Sequence, residues 1–142
     1  MAEAPRILPE VTVTREVSEK DLAGKVATEG TGGGPEGDLF PRVLGTSRLV
    51  SWMELAAAQA MHPVLKPQEL SVGVGSRIEH MAPTPAGGTV RMTVRYQGLE
   101  GKFHRFEVVA YDDAGEVFRG QHTRAIVNAE RLETGAARRL RR

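Results

Sequence analysis

The chain has 142 residues, 40% hydrophobic and 26% charged, and its 19 Lys and Arg against 18 Asp and Glu leave a formal net charge of +1. That length fits one globular domain with a sizeable core, and the near-neutral balance gives no basis for strong attraction to nucleic acid or a membrane. Cysteine is absent, which excludes a disulfide frame, a thiolate nucleophile and cysteine-ligated zinc.

In chain order, Met1 to Arg6 lack the apolar core of a signal peptide, and no apolar run approaches the roughly 20 residues that span a bilayer. A cytoplasmic protein with no membrane partner is therefore expected. Residues 10–17 alternate apolar and polar side chains and predict a half-buried strand. Ser18 and Asp21 are spaced as a capping box for a short helical turn. Residues 28–38 are glycine-rich and predict a mobile loop, with a slack connector and a lid both open. No Gly-Lys-Ser/Thr follows, so this is not a phosphate loop. Residues 47–62 form the one long helix. Its apolar residues cover most of the circumference, as in a helix buried by its surroundings, and Pro63 and Pro67 end it. Four strands follow near 70–82, 88–98, 102–112 and 115–129, with turns at 85–88 and 112–115. In the second of them Val90, Met92, Val94 and Tyr96 alternate with Arg91, Thr93 and Arg95, the mark of a one-sided strand. The sum is a single α+β domain over 1–142, an antiparallel sheet wrapped around the long helix, with 137–142 a flexible, solvated basic tail.

Within the apolar stretch from Leu49 to Met61, Glu54 is the lone carboxylate. Stripping water from an unpaired carboxylate costs several kcal/mol, roughly, so such a group is paired, neutralised or chemically employed. Ser47, Ser51, Glu54, Ala58 and His62 share one stripe, either a solvated face or the wall of a pocket. His80 is expected to share a strand face with Val72, Val74 and Ile78 and to meet Glu54 from the sheet. His62, His104 and His122 show no metal-ligand spacing with it or each other, and no metal site is expected. Thr46, at the start of the helix, is either a cap or a hydrogen-bond donor to substrate. It lies about 12 Å along a straight helix from Glu54, so the two share a site only if Thr46 sits in the preceding loop and folds back. Arg124 is either exposed or paired with a pocket carboxylate or a ligand carbonyl.

Phe40-Pro41-x-Val43, Thr46, Val50-x-x-Met53-Glu54, Ala60-Met61, Gly73, His80, Thr84-Pro85, Gly88-x-Val90 and His122-x-Arg124-Ala125 follow one another with an order and spacing that resemble the hot-dog-fold thioesterases, most closely the fluoroacetyl-CoA thioesterase-like family. The resemblance spans about two thirds of the chain. It implies a hot-dog fold assembled as a homodimer, with pairing into tetramers left open. It also implies hydrolysis of a short- or medium-chain acyl-CoA, with no cofactor beyond the coenzyme A of the substrate. On this resemblance Glu54 is the nucleophile or base, His80 a proton shuttle and Thr46 a donor to the carboxylate or acyl group. Gly73 brings backbone close to substrate, Arg124 orients the acid or acyl group, and Phe40 lines or gates the acyl pocket. The fluoroacetyl-specific enzyme carries a further lid aromatic where this chain has Gly37.

Two other classes compete. A non-catalytic acyl-CoA-binding or sensing module would use the same fold without turnover. A hot-dog hydratase needs an Asp/His pair in a different motif, which the chain lacks. Nucleic-acid binding through the arginine tail ranks behind both.

Overall fold

A computed structural model describes residues 8–32 and 34–141, so Met1 to Arg6 and the last residue of the basic tail lie outside the described residues. Five strands form one antiparallel sheet in the order β1-β3-β4-β5-β2. They are β1 (Val11–Glu16), β2 (Glu69–His80), β3 (Thr89–Glu100), β4 (Phe103–Asp112) and β5 (Gly115–Asn128). The long helix α2 (Thr46–Met61) lies against the inner face, and a short α1 (Ala23–Ala27) precedes it. The expected α+β sheet-around-helix architecture is the observed one.

The core is where the two periodicities meet. Leu49, Met53, Ala56, Ala57, Ala60 and Met61 of α2 are inaccessible to solvent and face Met92, Val94, Phe106, Ala110 and Phe118 of the sheet. Burial of that apolar area, at about 25 cal/mol per Å², is the main favourable term. The alanines carry short side chains, so the helix axis can approach the sheet closely. Gly120 does the same between strands: a Cβ there would overlap the Arg77 carbonyl oxygen and stand 2.8 Å from the Cα of Ile78.

Three expectations change. The helix is buried on one side only, because the sheet does not close around it, and Ser47, Ser51, Glu54, Leu55, Gln59 and His62 are exposed. The glycine-rich segment is not simply slack. Residues Pro35–Leu39 form a 3₁₀ turn, and Gly24 of α1 packs so closely on Gly37 that a side chain at Gly24 would overlap the Gly37 carbonyl. Finally, the first half of the expected tail, Ala137 to Arg139, belongs to a helix, α3 (Ala129–Arg139). Asn128 caps it by accepting from the Arg131 N–H at 2.9 Å. Arg138 and Arg139 lie in its last turn, where cations complement the helix dipole. The Ser18–Asp21 pair does cap a 3₁₀ turn, with the Ser18 N–H donating to Asp21 Oδ2 at 2.9 Å.

β2 carries a bulge. Its register against β5 runs Gly73↔Arg124 and then Gly75↔Thr123, leaving Val74 unpaired. The inner face of β2 is therefore Ser71 and Gly73 on one side of the slip and Ser76, Ile78 and His80 on the other. Val72, opposite Ala125, points outward. His80 thus keeps Ile78 but not Val72 or Val74 as facial neighbours, because one extra residue reverses the parity of everything before it.

The strand approach at Gly120 gives the first prediction. Gly120→Ala forces β2 and β5 apart and lowers stability by about 1–3 kcal/mol. Urea unfolding of parent and variant would measure it, and coincident curves would show that the contact carries no constraint.

Candidate active site

The functional side chains gather in two groups on the open side of α2 and the inner face of β2 and β5. The first group sits at the start of the helix. Thr46 is the first residue of α2, and its N-cap is Gly45, which gives no side-chain cap. The Thr46 hydroxyl is therefore not the cap. It lies 2.7 Å from His80 Nδ1. Burial lowers the His80 pKa, opposed by the Ala82 backbone. With its proton on Nδ1, a neutral ring donates to the Thr46 oxygen and leaves the hydroxyl proton free for another acceptor; Nε2 is shielded from solvent and lacks a well-aligned partner among the described residues.

The second group sits a little over two turns on, about 12 Å along the helix. A Cβ built on Gly73 would stand 3.0 Å from His122 Cε1, 3.5 Å from Arg124 Nη1 and 3.5 Å from Glu54 Oε2. Only glycine leaves that space free. Glu54 is exposed in the single chain, so it is not the buried helix acid its sequence surroundings imply: its stripe of α2 runs along the open edge beside β2 rather than under the sheet. Arg124 is the buried charge instead, 5% exposed. Its Nε donates to Ser71 Oγ at 2.8 Å and its Nη2 to the Ser71 carbonyl at 2.9 Å. Burial draws the guanidinium below its usual range and the Glu54 charge opposes this. His122, which sequence reasoning passed over as a site residue, is 2% exposed and touches both Arg124 Nη1, at 2.9 Å, and Ser76 Oγ, at 2.7 Å. Its signal was the His-x-Arg spacing, which puts both side chains on one strand face.

The structure thus joins Thr46 to His80, and Glu54 to Gly73 and Arg124, but does not bring the two groups together in one chain. Thr46 is within the helix, so it cannot fold back, and about 12 Å of helix separates it from Glu54. Phe40 lines a cleft of about 350 Å³ with Leu22, Gly24, Gly37 and Arg42, and none of the other five candidates lines that cleft.

Comparison with known proteins follows the same outline. The model of the fluoroacetyl-CoA-specific thioesterase family matches residues 17–130. The fluoroacetyl-CoA thioesterase of Streptantibioticus cattleyicolor is 38% identical over 98 residues, 69% of this chain and 70% of that protein. A variant of the fluoroacetyl-CoA thioesterase solved in complex with acetyl-CoA superposes with a TM-score of 0.85 at 30% identity, covering 95% of this chain and 98% of that one. A hot-dog-like protein from Thermanaerovibrio acidaminovorans, 23% identical with a TM-score of 0.79 over 94% and 92% of the two chains, shares the fold. The chain belongs to the fluoroacetyl-CoA-specific thioesterase family, and it is a hot-dog-fold thioesterase.

The buried histidines make stability depend on pH. His80, His104 and His122 all titrate below the ordinary imidazole value, each chiefly through burial, and His122 is brought down to about 4, with the Arg124 charge adding to burial. Below about pH 6.5 the unfolded chain binds protons that the folded chain refuses, so stability falls as pH drops from there to the folded pKa. His122 alone accounts for about 3 kcal/mol between pH 6.5 and 4. Urea unfolding across that range should show a steeper loss for the parent than for His122→Gln. Parallel pH dependences would contradict the assignment.

Proposed function

We propose that this thioesterase hydrolyses short- or medium-chain acyl-CoA thioesters as a homodimer whose active sites form between protomers. One observation carries the reading. The Thr46–His80 pair and the Glu54–Gly73–Arg124 group lie about 12 Å apart along α2, each incomplete alone, on a face the chain leaves open. β2 is an edge strand of 12 residues with Leu70 and Val74 53% and 47% exposed. Such an edge is a template for another strand. Antiparallel pairing of β2 with its own copy, about a two-fold axis near Ser76 and Arg77, sets Gly73 of one protomer opposite His80 of the other. The Glu54 group of each chain then faces the Thr46–His80 pair of its partner, and the exposed stripe of α2 is covered.

In the assembled site each residue has a role that fits its chemistry. Glu54 takes a proton from water as the water oxygen attacks the thioester carbonyl, or attacks that carbon itself to form an anhydride that water then opens. The Thr46 hydroxyl and the start of α2 present donors to the oxygen on which negative charge develops. Collapse of the tetrahedral species breaks the C–S bond. On the water route the leaving thiolate takes the proton collected from water, through His80, whose neutral ring can pass a proton on near neutral pH; on the anhydride route the sulfur departs as thiolate and takes its proton from the water that later opens the anhydride. Arg124, beside the space over Gly73, orients the acyl group. Every step uses protein groups and water, and coenzyme A is released as product. The acetyl-CoA complex of the related enzyme favours the short end of the acyl range. The cytoplasm is the compartment that fits such a substrate.

Two measurements test the reading. Free-thiol release from a panel of acyl-CoAs should be seen for the parent, with Glu54→Ala reducing kcat by about a thousandfold or more, as for loss of a nucleophile or base. An equally fast Glu54→Ala would refute the mechanism. Tight binding without turnover by the parent would mark an acyl-CoA-binding module instead. Mixing Glu54→Ala with His80→Ala subunits then tests the shared site. A heterodimer holds one intact site, so a statistical mixture should recover about a quarter of the parent activity. No recovery would place each site within one chain.

A further inference from the structure

His122 is fully buried where His80 and His104 are only half-buried, the proposed chemistry leaves it unused, and its surroundings fix its state. Arg124 has no acceptor capacity, so the 2.9 Å contact between Nη1 and His122 Nε2 is a guanidinium donation to a ring nitrogen lone pair. The ring is then neutral, with its proton on Nδ1, and donates to Ser76 Oγ at 2.7 Å, with the Gly75 backbone as a further neighbour. The bulge makes this possible: the slip between Gly73 and Gly75 sets Ser76 opposite His122 and Gly73 opposite Arg124.

Arg124 is held at three points. Two go to Ser71, through Nε and Nη2, and the third, Nη1, goes to His122 alone. Nη1 and Glu54 Oε2 each stand 3.5 Å from the point a Cβ on Gly73 would occupy. The carboxylate makes no hydrogen bond or ion pair among the described residues, so a free Nη1 has one obvious acceptor to swing to. That movement would close the space over Gly73 and occupy the carboxylate oxygen that the hydrolysis uses.

We propose that His122 is a positioning residue: it holds the Arg124 guanidinium beside the Glu54 carboxylate without letting the two pair, and so keeps the space over Gly73 open to the acyl group. The inference rests on the thioesterase reading and goes beyond it: His122 borders the space over Gly73 only with Cε1, both its ring nitrogens are engaged by Arg124 and Ser76, and it acts through Arg124.

The two ring nitrogens can be replaced one at a time. In His122→Gln the side-chain carbonyl reaches the Nε2 position and still accepts from Arg124. In His122→Asn the shorter amide reaches the Nδ1 position, still donates to Ser76, and leaves Arg124 Nη1 without an acceptor. Steady-state hydrolysis of acetyl-CoA is followed for parent and both variants, with unfolding midpoints to count folded protein. The expected result is that the Gln variant keeps kcat within about threefold of the parent. The Asn variant should lose about a hundredfold in kcat with KM within about threefold, the scale on which a misplaced site group costs rate. A residue that only fills space would give losses that track the unfolding midpoints and do not separate the two variants. Equal kcat per folded site for Asn and Gln overturns the proposal. If the Asn variant does not fold, the Gln variant decides: parent-like kcat upholds the proposal, and a folded Gln variant reduced a hundredfold overturns it. A parent inactive on every acyl-CoA would refute the thioesterase reading and this inference with it, whereas an active parent with matched variants refutes the inference alone.

Discussion

In a β-strand the side chain's direction is set by counting, and in β2 the count changes at Val74. Before the slip, Ser71 and Gly73 face the helix. After it, Ser76, Ile78 and His80 do. Without the extra residue, Val72 and Val74 would line the interior and Gly73 would point to solvent. The carboxylate of Glu54 would then meet an isopropyl group where it now meets a glycine flanked by Arg124 and His122. A bulge leaves one residue unpaired and weakens the ladder locally. The strand recovers this on either side, through eleven register pairs with β5 and the bonds that Arg124 and Thr123 send back to Ser71 and Gly75.

The charges follow from the same geometry. A buried guanidinium is costly unless its N–H groups are satisfied, and Arg124 finds acceptors on Ser71 and His122 without using Glu54. The carboxylate is left on the open face of the helix with its acceptor capacity intact. Had the two formed a tight pair, the arginine would be satisfied and the acid spent. The imidazole beside the arginine is driven in the same direction by burial and by the neighbouring charge, so it stays an acceptor down to about pH 4. Serine, histidine and arginine thus form one hydrogen-bonded chain running inward from the edge strand.

Much of this was legible in the sequence, and the failures have identifiable causes. The alternation of Val90, Met92, Val94 and Tyr96 gave strand, face and burial correctly, because β3 lies between two neighbours and its ladder is regular in that stretch. The long helix was right within a residue at each end. The facial partners of His80 were wrong because parity arguments fail across a bulge. Glu54 was expected to be buried because its neighbours in sequence are apolar. Helical neighbours in space are three and four residues away, however, and on its own stripe they are Ser51 and Ala58. Helix α3 was missed because Gly135 and five arginines within 131–142 hide a cap, Asn128, that only the backbone reveals. His122 was missed because a lone strand histidine is usually a packed one; what distinguishes it is a neighbour two residues on, Arg124, aimed at the same space.

The gate and the inner wall of the proposed site then divide the work unequally. The segment around Gly37 is fastened to α1 by backbone contact with Gly24 rather than by a side chain plugging the pocket, and Phe40 remains 40% exposed in a cleft of its own. Little at the rim is shaped to a particular acyl group. Over Gly73, by contrast, a carboxylate oxygen, a guanidinium nitrogen and an imidazole carbon all stand within 3.5 Å of the point a Cβ would occupy. A pocket sorts ligands by the groups it would leave unpaired more sharply than by methylene count. Discrimination among acyl groups in the proposed site therefore falls to the polar inner wall, whose geometry is set by the bulge and by the bonds that hold Arg124 in place.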